Sequence, residues 1–239
     1  MLPHVTAVVL FFLAATATAA SYNFEWDCTK SLGTCNNACF AIYTKKYKDT
    51  LTYDSDVKIR DQRRIQSGCS RNPCNDAKLS YGKFGKSCDE FPFASTKEGG
   101  AGAYLRCVDG PENSSEGGQL GNFYKKMKGG DTFKLFIRNY KGARFCDSPG
   151  AANDGGQFTF KNSQFVNSKL KMARRALGFE TVEDDLETSP IIVGETLREY
   201  EDSEGGRILA LSLGEESMVG QLISDGNRTL TIVKEVSGL

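Results

Sequence analysis

Eight cysteines constrain this chain more than any other feature of its sequence, and all of them lie in its first two thirds. None has the C-x-x-C spacing of a zinc site. An even number of cysteines in an exported chain is typical of a disulfide framework. We therefore predict disulfide bonds for the whole set, with the pairing left open: Cys28, Cys35, Cys39, Cys69, Cys74, Cys88, Cys107 and Cys146.

Residues 1–20 are predicted to be a secretory signal. Residues 5–15 are apolar except for Thr6, and small residues at 16–20 follow, as a signal peptidase requires. An N-terminal membrane anchor is the alternative, but the apolar run is shorter than the roughly 20 residues that span a bilayer. We expect cleavage near Ala19 or Ala20 and a secreted, extracellular protein without a membrane partner.

The predicted signal contains His4, which is the only histidine, so the mature chain has none. This excludes Ser–His and Cys–His catalysis and histidine-ligated zinc. Acid–base or metal chemistry must come from Asp, Glu, Asn, Gln, Tyr, Lys or backbone groups, and we expect no organic cofactor.

The charges divide the chain into two regions. Residues 21–175 carry 26 basic and 16 acidic side chains, whereas residues 176–239 carry 4 basic and 14 acidic ones. A basic exported domain favours a polyanionic partner, nucleic acid first, although ordinary solvated lysines are the alternative. We interpret 21–175 as the functional domain.

The acidic region begins after Arg174 and Arg175, a dibasic pair that resembles a processing site for a Kex2-type protease. Alternating patterns predict strands at 207–213, 218–223 and 230–236, with a hairpin turn at 225–227. We interpret 176–239 as a small β-rich acidic appendage. It is either a pro-region removed after Arg175 or a solubilising tail.

The basic domain shows few regular elements. The pattern predicts a helix with a basic face at 56–66 and a second helix at 120–127. Strands are predicted at 103–108 and 132–138, and a loop is predicted at 70–87. The fold class expected from these elements is α+β, as a small disulfide-stapled domain.

The residues that could carry chemistry are concentrated between 88 and 122. Asp89 and Glu90 are adjacent carboxylates beside Phe91 and Phe93, where burial can raise a pKa or favour a shared cation. Further along, three side chains supply hard oxygen ligands suited to Mg²⁺, Mn²⁺ or Ca²⁺: Glu112, Asn113 and Asn122. Each motif alone is also common in surface loops and helix caps.

Taken in order, these motifs resemble the NucA/NucB family of secreted deoxyribonucleases over about residues 56–138. The resemblance is carried by 89–94, the glycine-rich 98–103, Glu112-Asn113, 117–122 and the strand at 132–137. It implies a metal-dependent endonuclease that cuts extracellular DNA with little sequence preference. It also implies a relation to histidine–metal finger (ββα-metal) nucleases, with a carboxylate in place of the usual histidine.

The resemblance assigns roles to particular residues. Asp89 is the general base by position, with Glu90 as a second catalytic candidate. Glu112, Asn113 and Asn122 are the candidate ligands of Mg²⁺ or Mn²⁺, with Ca²⁺ as an alternative. The candidates for substrate contacts are Arg63, Arg64, Lys97, Glu98 and Gln119.

Two glycosylation sequons are present, at Asn113 and at Asn227. We expect a glycan on Asn227, while one on Asn113 would obstruct the expected metal site.

Other functions stay open at this point. A nuclease acting mainly on RNA is one, and a non-catalytic polyanion-binding or effector protein is another. A hydrolase of acidic polysaccharide that uses Asp89 and Glu112 is the third. A pure binder would need the basic face but not the carboxylates, so the run from Asp89 to Gly100 favours an enzyme.

Overall fold

The computed structural model describes residues 19–167, 195–213 and 216–238. Residues 1–18 of the expected signal, the dibasic pair and the start of the acidic region lie outside the described residues. Within the described ranges, no helix is both long enough and apolar enough to cross a membrane.

All eight cysteines form disulfides, as the sequence predicts. The four bonds are Cys28–Cys35, Cys39–Cys146, Cys69–Cys88 and Cys74–Cys107.

The described residues form a mixed α+β fold, which confirms the expected class. The helices are α1 (Leu32–Cys39), which continues into a π-helical turn at Phe40–Thr44, α2 (Val57–Ser67), α3 (Gly110–Tyr124) and α4 (Arg144–Asp147). The strands are β1 (Ser21–Asp27), β2 (Thr50–Thr52), β3 (Ser87–Phe91), β4 (Tyr104–Val108), β5 (Thr132–Arg138), β6 (Gln157–Lys161), β7 (Gln164–Asn167), β8 (Glu195–Asp202), β9 (Arg207–Leu213), β10 (Leu222–Ser224) and β11 (Thr229–Gly238).

Local signals explain α2 but not the whole of α3. The side chain of Asp56 caps the first turn of α2, and Gly68 ends the helix in a left-handed conformation. The prediction of a helix at 120–127 is wrong in its start, because α3 already begins at Gly110. Its three internal glycines lower helix propensity. What stabilises α3 is tertiary packing of one face, since Glu116, Leu120 and Phe123 are buried.

The larger sheet joins both ends of the chain. β1 lies parallel to β5, and β5 pairs antiparallel with β9. The sheet continues through β8 and β11 to β10, which pairs with β1 where Phe24 lies beside Ser224. The strands therefore close into a ring, to which β2 adds on β5.

The C-terminal strands cover one face of β5. Phe133, Leu135 and Ile137 point into the main core, while Phe136 points the other way and is fully buried. The side chain of Phe136 belongs to a second hydrophobic core. The other buried residues of this core are Tyr200, Ile208, Ala210, Met218, Ile223, Leu230 and Ile232. Residues 195–238 thus contribute to the fold, while their cleavage from the chain stays a prediction.

Buried ion pairs connect the same strands. Arg138 at the end of β5 contacts Asp202 at 2.6 Å and Glu25 of β1 at 3.4 Å, and Arg228 contacts Glu25 at 3.0 Å. Burial raises the pKa of Glu25 to about 7 even though both arginines favour its charged form.

The smaller sheet, in the order β3-β4-β6-β7, carries the candidate chemistry. Its β3–β4 pair places Cys88 beside Cys107 and Asp89 beside Arg106. The disulfides of these two cysteines tie the loop before β3 to the sheet. Helices α1 and α3 pack against the strand pair, and this fixes the side chains described below.

The packing of β5 predicts that Phe136→Ala costs about 3–5 kcal/mol of unfolding free energy, because it empties a core that the C-terminal strands close. Chemical denaturation under non-reducing conditions measures this. Val233→Ala in β11 is the control, since Val233 is 47% exposed and its loss should stay within about 0.5 kcal/mol. An equally small loss for Phe136→Ala would show that the C-terminal strands do not cover β5.

Candidate active site

A pocket of about 620 Å³ lies between α2 on one side and β3 with α3 on the other. Asp89 and Glu90 reach it from β3, while Asn113 and Glu116 reach it from α3. The order of these elements is strand, strand, helix, because β4 returns from β3 and leads directly into α3. The expected base and one expected metal ligand are thus brought to the same cavity.

Asp89 and Glu116 form a buried carboxyl pair. Their exposed fractions are 3% and 5%, and a hydrogen bond joins the two side chains. Burial raises the pKa of Asp89 to about 6, and burial together with the charge of Asp89 raises the pKa of Glu116 well above its usual value. Their hydrogen bond lowers the pKa of Asp89 and raises that of Glu116, so a proton shared by the pair lies on Glu116.

Glu90 lies on the α2 side of the pocket. The hydroxyl of Ser67, at the end of α2, donates to its carboxylate. Burial raises the pKa of Glu90, while this hydrogen bond and the positive charge of Arg64 partly offset the effect. Asp89 and Glu90 are adjacent in β3 and line the same pocket, but they bind different partners.

Asn113 is held in a single orientation by the first two residues of β3. Its Nδ2 donates to the hydroxyl of Ser87 at 2.7 Å and to the carbonyl of Cys88 at 3.1 Å. Because both bonds use the nitrogen, the acceptor oxygen of the amide is turned away from them. Asn113 lines the pocket and can present that oxygen to a bound group.

The oxygen atoms around the pocket fit a hard divalent cation whose remaining coordination positions are filled by substrate and water. Among the described residues, no three Cys, His, Asp or Glu side chains form a group that could hold a metal ion by themselves. Mg²⁺ usually binds through one or two carboxylates together with waters and substrate phosphates. The buried carboxylates and the amide oxygen of Asn113 are enough to supply the protein ligands of such a site.

Two basic side chains of α2 and a pair of tyrosine rings also line the pocket. Arg60 and Arg64 are exposed, lie four residues apart on α2, and both line the pocket. Tyr53 and Tyr124 stack with ring centroids 4.1 Å apart and also line it. An anion entering the cavity would meet two guanidinium groups on the α2 side, beside three aspartates of residues 54–61, and carboxyl groups on the β3 and α3 side.

Three sequence candidates on α3 have other partners. Glu112 accepts a hydrogen bond at 3.0 Å from the backbone nitrogen of Gly33, in the first turn of α1. Gln119 binds both backbone groups of Asp27, at 2.9 and 2.8 Å. Asn122 accepts from Lys125 at 2.8 Å. None of the three lines the pocket.

Of the remaining candidates for substrate contacts, some line the pocket and others have partners elsewhere. Arg64 lines the pocket, whereas Arg63 pairs with Asp54 at 2.7 Å and lies outside the lining. Glu98 accepts from Lys48 at 3.0 Å and from the backbone of Thr52 at 2.8 Å, which holds the loop after β3. Lys97 is exposed and outside the pocket lining.

Sequence analysis did not select Glu116, Arg60 or Asn37, whose Nδ2 donates to Asp89 at 2.9 Å. Glu116 lies three residues after Asn113, so a helix assigned from residue 110 would have placed both on one face. Arg60 lies one turn before Arg64 on a helix that was predicted. Nothing in the sequence around Asn37 indicates its long-range contact.

Comparison with known proteins agrees with the resemblance noted in the sequence. The model of the family described as deoxyribonuclease NucA/NucB matches residues 38–136. The matched range includes Asp89, Glu90, Asn113 and Glu116, and it supports a nuclease. Comparison with curated proteins gives no match.

The hydrogen bonds of Asn113 predict which sequon carries a glycan. Its Nδ2, the atom that a glycan would occupy, donates to Ser87 and Cys88, whereas Asn227 is exposed in the turn between β10 and β11. Glycopeptide mass spectrometry of the protein secreted from a eukaryotic host should find sugar on Asn227 and none on Asn113. A glycan on Asn113 would contradict the geometry of the pocket.

Proposed function

We propose that this chain is a secreted, divalent-metal-dependent endonuclease that hydrolyses DNA phosphodiester bonds with little sequence preference. The observation that carries the proposal is the buried Asp89–Glu116 pair, which faces a pocket with Arg60 and Arg64 on its far wall. This pair lies in the segment that resembles the NucA/NucB deoxyribonucleases.

DNA is the substrate class that the charge and the resemblance favour together. Residues 21–175 are basic, and the arginines of α2 are placed to contact phosphates beside the carboxyl pair. Contacts to phosphate position a strand without reading its bases, which agrees with little sequence preference.

Asp89 is the group we assign as general base. An ordinary aspartate is too weak a base at neutral pH, but burial raises the pKa of Asp89 to about 6. The group stays mostly ionised at neutral pH and is a better proton acceptor than an exposed aspartate. Glu116 binds this carboxylate while it keeps its proton, and Asn37 binds it whether or not a cation is present.

We propose that Asn113 and Glu116, which lie one helical turn apart, would hold Mg²⁺ or Mn²⁺. When bound, such an ion would stabilise negative charge that develops on the phosphate and the leaving oxygen. Glu116 must give up its proton to act as a ligand, so cation binding should release a proton. The order of β3, β4 and α3 supports the relation to ββα-metal nucleases that the sequence suggests.

We also propose export through the signal at 1–20, which four disulfides within residues 28–146 support. A Kex2-type cut after Arg175 stays part of the proposal. Because β8 to β11 complete the larger sheet, we expect a cut chain to keep its C-terminal strands bound without a covalent link.

The first test is plasmid cleavage by the secreted protein. We expect nicking that EDTA abolishes and that Mg²⁺ or Mn²⁺ restores. Asp89→Asn should lower the rate by roughly 100- to 10,000-fold, because it removes the base. If the wild-type protein, intact or processed, binds DNA but cuts neither DNA nor RNA with any metal, it is a non-catalytic polyanion binder.

A second test separates two carboxylates of α3. Glu116→Gln should lower the cleavage rate by roughly 10- to 100-fold at fixed Mg²⁺. Glu112→Gln should stay near the wild-type rate, because its amide oxygen can still accept from Gly33.

The rates are compared after thermal unfolding confirms that both variants fold. The opposite ranking would return the metal site to Glu112, as the sequence alone suggests.

A further inference from the structure

Asn37 on α1 is fully buried and lies one residue before the range that the NucA/NucB model matches. Its Nδ2 donates to Oδ2 of Asp89 at 2.9 Å and to the carbonyl of Tyr104 at 3.0 Å. Asp89 belongs to β3, and Tyr104 lies on the neighbouring strand β4, where it pairs with Phe91. One amide group from outside the matched range thus binds the candidate base and the strand beside it.

The orientation of the Asn37 amide is fixed by the two hydrogen bonds that its nitrogen donates. Both partners are acceptors, so the nitrogen and not the oxygen must face them. The oxygen Oδ1 is buried and, among the described residues, has no hydrogen-bond partner. A buried acceptor without a partner destabilises the fold. The favourable contribution of this polar side chain therefore comes from its two donated bonds, one of which ends on Asp89.

Helix α1 is fixed on both sides of Asn37. Cys35 is bonded to Cys28, and Cys39 is bonded to Cys146. Between them, Asn36 accepts a hydrogen bond at 2.9 Å from the backbone of Phe145. The helix that presents Asn37 is thereby tied to the chain before it and to the segment after β5.

We infer that Asn37 is a positioning residue for Asp89, and that the disulfide-stapled N-terminal segment holds it in place. The inference rests on the proposed nuclease function. Asn37 donates from α1 to one carboxylate oxygen of Asp89. This bond restricts the rotation of the carboxylate, so that an oxygen of Asp89 stays aligned with the attacking water. Such alignment acts on the chemical step and not on substrate binding.

A matched pair of neighbours on α1 tests this. Asn37→Ala removes the amide that binds Asp89, and Asn36→Ala removes an equally buried amide that binds Phe145 instead. Both are measured with Mg²⁺ for kcat on a plasmid, for Kd on DNA, and for thermal unfolding. We expect Asn37→Ala to lower kcat by roughly 10- to 100-fold with unchanged Kd. Asn36→Ala should keep the wild-type kcat.

Two results would overturn the inference while the nuclease proposal stands. One is a wild-type kcat for Asn37→Ala. The other is an equal loss of kcat for Asn36→Ala, since that would show a general effect of loosening α1. If Asn37→Ala does not fold, Asn37→Leu fills the space without a donor and is held to the same criteria. A wild-type protein that cuts no nucleic acid would remove the function on which the inference rests.

Discussion

The parallel pairing of β1 with β5 is the constraint on which the rest of the structure depends. It aligns Ser21 with Thr132 and Asp27 with Arg138, so the intervening chain forms one long crossover. The carboxyl pair, the arginines of α2 and three of the four disulfides lie inside that crossover, and the fourth joins it to Cys146. The β1–β5 pairing and these bonds set how α1, α2 and α3 meet. The C-terminal strands close the other face of β5, so the site depends on both ends of the chain.

The pocket concentrates groups that are costly to bury, and each has a specific compensation. Glu116 shares a hydrogen bond with Asp89, Ser67 donates to Glu90, and Arg64 lowers the pKa of both glutamates. Without such partners, buried carboxylates would simply be neutral. Within the Asp89–Glu116 pair the mutual hydrogen bond shifts the two pKa values in opposite directions, so two similar side chains differ in their affinity for a proton.

Sequence patterns predicted the elements whose signals are local. The alternation in β4, β5 and β9 and the capped basic helix α2 appear where they were expected. The start of α3 was missed because its glycines disguise a helix that packing stabilises. Without the correct start of α3, the sequence could not show which glutamate lies in the pocket. A helix that begins at residue 110 places Glu112 against α1 and Glu116 against Asp89. The contacts of Asn37 and the closure of the sheet by β10 join residues far apart in sequence, where periodicity carries no information.

Two facts of composition, the absence of histidine after His4 and the presence of eight cysteines, are physically connected. A carboxylate can replace an imidazole as base only if burial raises its pKa, and burial of charge destabilises the fold. Disulfides stabilise mainly by restricting the unfolded chain, so they add stability without occupying the pocket. Here they also bind the helix that carries Asn37 and the strands that carry Asp89 and Arg106. The disulfides therefore offset the cost of burying carboxylates and also hold the geometry of the pocket. A histidine-free site of this kind requires both the added stability and the fixed geometry.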